Sequence, residues 1–114
     1  MSKKSTKFIG MVTFDASSGH DGIIKKLEAW GFFKKTTYGY DLPANTYIGE
    51  FQLETEVNDN NTFNTTYLKN VCSGKSKYYR QELKKYFDDN NIDGHIYVLF
   101  SWELTFDDSV TIKD

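Results

Sequence analysis

The stretch KFIGMVTFDASSGHDGIIKKLEAWGFF, residues 7–33, passes from an apolar strand through a short polar loop into an amphipathic helix. Phe8, Gly10, Val12 and Phe14 fall on one face of the strand, with Ile9, Met11 and Thr13 on the other, so both faces are fairly apolar. That is the pattern of a central strand, covered on both sides. Asp15 closes the strand and Ser17-Ser18-Gly19 breaks it. The helix opens near His20 or Asp21, and Ile23, Ile24, Leu27 and Trp30 recur at helical spacing along one stripe. Gly31 stands where a left-handed helix stop is expected.

Working outward, Phe32 to Thr37 predicts a second strand, and Tyr38 to Pro43, with the only proline, a hairpin connection. Thr46 to Glu54 predicts a third strand, in which Gly49 signals a bulge or a close backbone approach. Residues 55–65, TEVNDNNTFNT, are asparagine-rich and aperiodic and predict a mobile loop. A second helix is expected within Tyr67–Asp89, apolar at Leu68, Val71, Cys72, Tyr79, Leu83, Tyr86 and Phe87, and broken in two at Ser73-Gly74-Lys75-Ser76. His95 to Trp102 alternates once more, with Ile96, Val98, Phe100 and Trp102 toward the core.

The order β-α-β-β-α-β predicts two split βαβ units: a four-stranded antiparallel sheet, strand order 4-1-3-2, with both helices on one face. That is the ferredoxin-like fold, an α+β class. The chain of 114 residues reads as one such domain, with a core over about 7–102 and a tail, 103–114, in which Thr105 to Ile112 offers a fifth edge strand. The sheet face opposite the helices would carry Ile9, Met11, Ile48, Tyr97 and Leu99, too apolar to stand bare. A homodimer through that open face, or the tail, is expected to cover it.

Aromatic residues make up 17% of the chain against 39% hydrophobic residues in all, so Phe, Tyr and Trp must build much of the core. The single cysteine, Cys72, rules out an internal disulfide and fits a reducing compartment, where it reads as a packing residue. With no signal-peptide core and no apolar run of membrane length, the expected location is cytoplasmic, with no membrane partner. The net charge of −2 conceals alternating blocks: +4 over residues 1–40, −5 over 41–65, +5 over 66–87 and −6 over 88–114. A general nucleic-acid binder shows a net basic footprint, so contact with RNA or DNA would use a local patch.

Three groups of residues carry candidate chemistry. Asp15 ends strand one, His95 begins the antiparallel strand beside it, and His20 and Asp21 open helix one at the same edge. Such a carboxylate–imidazole group suits general acid–base work, with Asp15, His20 and His95 as catalytic candidates, or a divalent metal on Asp15. The alternative is plain capping by Asp15 and Asp21 with two surface histidines. On helix two, Lys75, Lys77, Arg80 and Lys84, with Tyr78 for stacking, form a candidate nucleic-acid-binding surface; a solvated helix face is the commoner explanation of such a run. Cys72-Ser-Gly-Lys-Ser76 ends like a phosphate loop, but position 69 is Lys rather than the required glycine and no strand precedes it. Tyr38, Tyr40 and Tyr47 with Lys34 and Lys35 make the hairpin a candidate binding surface, with packing of these tyrosines under the loop an equal alternative.

VTFDAS (residues 12–17), LEAWGF (27–32) and the basic strand that follows resemble small ferredoxin-like proteins of bacterial defence and toxin systems, among them the CRISPR adaptation nucleases and the VapD-type endoribonucleases. GFFKKTTYGYDLPANTYIGEF (31–51), with its LPxNTYxGE core, resembles the GhoS antitoxin family of endoribonucleases. The resemblance implies an antitoxin- or defence-associated dimer that binds RNA or DNA. Asp15 is the one position that aligns with a functional residue, the strand-end aspartate of the CRISPR nucleases; if the chain is an endoribonuclease, metal-assisted hydrolysis is expected, with Asp15 holding Mg²⁺ and His20 or His95 moving protons. No arginines follow Asp15 here, which departs from the CRISPR pattern. The rival expectation is a noncatalytic module with a protein partner, such as a mobile-element inhibitor of a host defence complex. It is motivated by the aromatic excess and the charge blocks.

Overall fold

A computed structural model describes residues 2–36, 38–105 and 109 of the chain. The elements are β1 (Lys3–Ala16), α1 (His20–Trp30), β2 (Phe32–Phe33), β3 (Thr46–Glu56), α2 (Thr65–Asp89) and β4 (Gly94–Trp102), followed by a 3-10 turn over Glu103–Thr105. They form one four-stranded antiparallel sheet in the order β2-β3-β1-β4. This is the ferredoxin-like arrangement expected from the element order, read from the opposite edge. The edge strand expected over Thr105–Ile112 lies, beyond Thr105, outside the described residues apart from 109.

Alternation along the strands divides the sheet cleanly. Val12, Phe14 and Tyr47 join Ile23 and Leu27 of α1 and Tyr79, Leu83 and Phe87 of α2 in a single core, with Ile96, Val98 and Phe100 packed against it. Both helices therefore cover the same face. α1 takes its place between two glycines, Gly19 at φ 73° and Gly31 at φ 98°, conformations that residues with a Cβ seldom adopt. Gly49 marks a close approach rather than a bulge: the β1–β3 register runs through it unbroken, and a Cβ there would lie 2.6 Å from the Gly31 carbonyl oxygen.

Four features differ from the sequence reading. β1 begins at Lys3, since Lys3, Lys4 and Ser5 pair across from Glu56, Thr55 and Glu54 as a two-stranded arm that β4 does not reach. Within this arm Lys3 stands directly opposite Glu56, a pairing of unlike charges that suits a two-stranded ladder. The expected loop at 55–65 is in part this strand. The remainder is a closed turn, bridged between Val57 and Phe63, with Asn58 N–H donating to the Thr62 carbonyl at 2.9 Å. β2 spans only two residues. Its continuation folds onto itself, because buried Thr36 receives the Tyr38 and Tyr40 amides on its hydroxyl at 3.3 and 3.1 Å.

The fourth difference is α2, which runs unbroken for 25 residues through Ser73-Gly74-Lys75-Ser76. Asn64 caps it by accepting the Tyr67 N–H at 3.1 Å. Ser76 Oγ donates to the Ser73 carbonyl at 3.0 Å, so the serines bond within the helix instead of opening it. The apolar stripe at Leu68, Cys72, Tyr79, Leu83 and Phe87 holds both halves on the sheet, and that packing outweighs one poor helix former. Gly74 is exposed with nothing within 4 Å of a built Cβ. Gly74→Ala is accordingly expected to raise stability by about 1 kcal/mol, measured as an upward shift in denaturation midpoint. A broken helix at this point would show no gain.

Candidate functional site

Antiparallel pairing of β1 and β4 sets Asp15 opposite His95 and Ala16 opposite Gly94. The strand ends are tied beyond the ladder by Ser17 N–H to the Asp93 carbonyl at 2.8 Å and by Asp93 N–H to Ser17 Oγ at 3.0 Å. Asp15 Oδ1 accepts the His95 backbone N–H at 2.6 Å and lies 3.1 Å from His95 Nδ1. The His95 amide, and after it the His95 ring, hold the Asp15 carboxyl below its ordinary 3.8. An ionised carboxylate only accepts, so in the neutral imidazole the hydrogen is on Nδ1 and Nε2 is left as an acceptor. The side chains are 71% and 92% exposed, Asp15 and His95 respectively, on the sheet face away from the helices. A shallow groove of about 390 Å³ runs past them, lined also by Thr13, Phe14, Ile96 and Tyr97.

His20 stands on the other side of the sheet. Its ring centroid is 6.0 Å from that of Phe14, which belongs to the helix-side core, whereas Asp15, one residue on, points the opposite way. Among the described residues no hydrogen bond joins His20 to Asp15 or His95. Asp21 is exposed in the first turn of α1. The sequence therefore brought four groups to one end of the sheet, and the pleat separates them into an Asp15–His95 pair and a His20–Asp21 pair.

Among the described residues, no three His, Cys, Asp or Glu side chains gather as metal ligands. Toward Mg²⁺ one chain offers the Asp15 carboxylate, with Oδ1 already engaged by His95. Water, substrate phosphates or the Asp15 of a second copy would complete an octahedral shell of the kind this ion takes.

The five basic and aromatic candidates on α2 also divide. On a continuous helix Lys77, Arg80 and Lys84, three and four residues apart, share one exposed stripe, while Lys75 and Tyr78 share the opposite flank. Tyr78 is half exposed and meets Tyr79 edge-on at 5.1 Å. Lys84 pairs with Asp88 at 2.7 Å, one turn along. Arg80 and Lys84 line a groove of about 340 Å³ together with Gly94 and Ile96. Ile96 lines the Asp15–His95 groove as well, but Arg80 and Lys84 stand on the helix side of the sheet and Asp15 and His95 on the open face, so the two grooves adjoin only around the edge of β4. Sequence reasoning missed this junction, although Asp93-Gly94 just before His95 marked where the strand turns in beneath the helix.

On the open face Ile9 and Ile48 are buried, at 1% and 7% exposure, while Phe33, Tyr97 and Leu99 remain accessible. Phe33 joins Lys35, Ile48 and Glu50 around a third groove beside β2, and the exposed Tyr38 and Tyr40 follow in the next loop. Tyr47, read as part of that aromatic surface, is instead a core residue stacked on Phe14 at 6.2 Å. Cys72 is half buried, and desolvation pushes its thiol up from the ordinary value, which suits packing and not nucleophilic chemistry. No helix among the described residues is long and apolar enough to cross a membrane.

No family model, no curated protein and no solved structure matches the chain. The ferredoxin-like fold is thus the level at which it resembles the antitoxin and nuclease families.

Proposed function

We propose that this domain binds single-stranded RNA around the start of the edge strand β4, with the basic stripe of α2 on one side and the Asp15–His95 pair on the other. One observation carries the reading: Ile96 lines both the groove holding Arg80 and Lys84 and the groove holding Asp15 and His95. Arg80 and Lys84 would follow phosphates there, although Asp88 and Asp93 line the same groove, and the exposed Tyr97 ring, on the same face as His95, offers a surface for a base.

Fluorescence anisotropy with a labelled RNA oligonucleotide tests this. Replacing Lys77, Arg80 and Lys84 by Ala should weaken binding. It should also flatten the plot of log affinity against log salt by about 2, at ~0.7 for each phosphate of a single strand that is no longer neutralised. Replacing Lys25 and Lys26 of α1 should leave that slope in place. Equal slopes in the two variants would remove the reading.

A second reading, a noncatalytic module for a protein partner, is favoured by the exposed Phe33, Tyr38 and Tyr40 around the β2 groove, since aromatics supply most of the energy at protein interfaces. Binding that survives the α2 variant but is abolished on replacing those three aromatics would support it.

A further inference from the structure

We propose that His95 Nε2 acts as the general base in a 2′-hydroxyl-dependent cleavage of RNA, with Asp15 as its positioning residue. The inference builds on the RNA-binding reading above.

Asp15 Oδ1 holds the His95 ring through Nδ1 at 3.1 Å while taking the His95 amide at 2.6 Å, so ring and backbone are oriented by the same oxygen. Nε2, on the far side of the ring, is then left to accept a proton. With the ring 92% exposed beside an open groove, a polymer can lie across it without entering a closed pocket. Arg80, in the adjoining groove, is a cation for the phosphate next to the cut, and Lys84 is another although it is shared with Asp88. If Arg80 takes a phosphate of the bound strand, a carboxylate-oriented imidazole beside it needs a nucleophile that carries its own removable proton. In a nucleic acid that is the ribose 2′-hydroxyl, so the substrate class is RNA and not DNA.

The step balances without a co-reactant. Nε2 takes the 2′-hydroxyl proton, the 2′-oxygen forms a bond to the adjacent phosphorus, and the bond from phosphorus to the 5′-oxygen breaks. The leaving 5′-oxygen takes a proton from the imidazolium or from water, giving a 2′,3′-cyclic phosphate and a 5′-hydroxyl end. The ionised state of Asp15, held by His95 hydrogen bonds, keeps it an acceptor throughout.

The experiment incubates the full chain in EDTA with a labelled RNA oligonucleotide and with its all-2′-deoxy counterpart. Cleavage of RNA alone, leaving 5′ ends that a polynucleotide kinase labels directly, is the expected result. His95→Gln should slow cleavage by about 100-fold or more, the usual contribution of a general base, with RNA affinity within twofold. Asp15→Asn, which still offers an oxygen to the His95 amide, should slow it while leaving the circular dichroism melt in place. Cleavage of both strands that stops in EDTA and leaves 5′-phosphates would overturn the proposal in favour of a metal route through Asp15. RNA that is bound but stays intact would overturn it and leave the binding reading standing. Absence of any RNA binding would overturn both.

Discussion

Phe32→Ala is expected to cost about 3–5 kcal/mol, the range for removing a fully buried phenyl ring. Phe32 is 0% exposed, and its ring centroid lies 5.2 Å from Phe51, 5.1 Å from Tyr79 and 6.3 Å from Phe100. It therefore joins β3, α2 and β4 through one side chain. β2 has only the pairs Phe32–Gly49 and Phe33–Ile48 to hold it to the sheet, so few backbone bonds remain to keep the strand in place once the ring is gone. For a domain of ordinary stability, about 5–15 kcal/mol, the loss takes roughly a fifth or more of the total. Urea denaturation should show the midpoint falling steeply. Phe33→Ala is the control, since its half-exposed ring is on the opposite face of the same strand. Similar losses from the two variants would mean that the aromatic cluster does not anchor β2.

Gly94→Ala should both destabilise the domain and dismantle the Asp15–His95 pair. A Cβ at residue 94 would lie 1.9 Å from the Asp15 carbonyl oxygen, 2.8 Å from its carbonyl carbon and 3.0 Å from Ala16 Cα. All three atoms belong to the neighbouring backbone, so no rotamer change relieves the clash and the strand ends must part. Overpacking of this kind costs about 1–3 kcal/mol, and the upper end is expected because main chain has to move. The local consequence is sharper than the global one. The His95 amide, which donates to Asp15 Oδ1 at 2.6 Å, should exchange with solvent much faster in the variant than amides in the centre of β1. RNA cleavage by the His95 route should fall with it. Unchanged stability together with unchanged His95 protection would contradict the register at this end of the sheet.

Much of the architecture was legible because burial imposes a period. Two-residue alternation in Phe8–Phe14 and Ile96–Trp102, and helical spacing in Ile23–Trp30, each correspond to one buried face, and the topology follows from their order. The meeting of Asp15 with His95 was legible for the same reason: antiparallel neighbours bring the end of one strand to the start of the other. The side of the sheet on which His20 stands was not, because a loop of polar residues has no period to declare where it crosses the rim. Nor was the unbroken course of α2. Gly74 is a poor helix former and Ser73 and Ser76 are middling ones, and the helix persists because Cys72 and Tyr79, on either side of them, lie on one packed stripe.

From local pattern alone, then, come the fold class, the faces of β1 and β4, the glycine that stops α1 and the pairing of Asp15 with His95. The packed structure decided the length of β2, the closure of residues 57–63, the division of the basic stripe and the junction of two grooves at Ile96. Periodicity reports whether a residue is buried, and neighbours in sequence suffice to express it. Which exposed groups come to share a surface depends on packing between segments far apart in the chain, and no short window of sequence contains that.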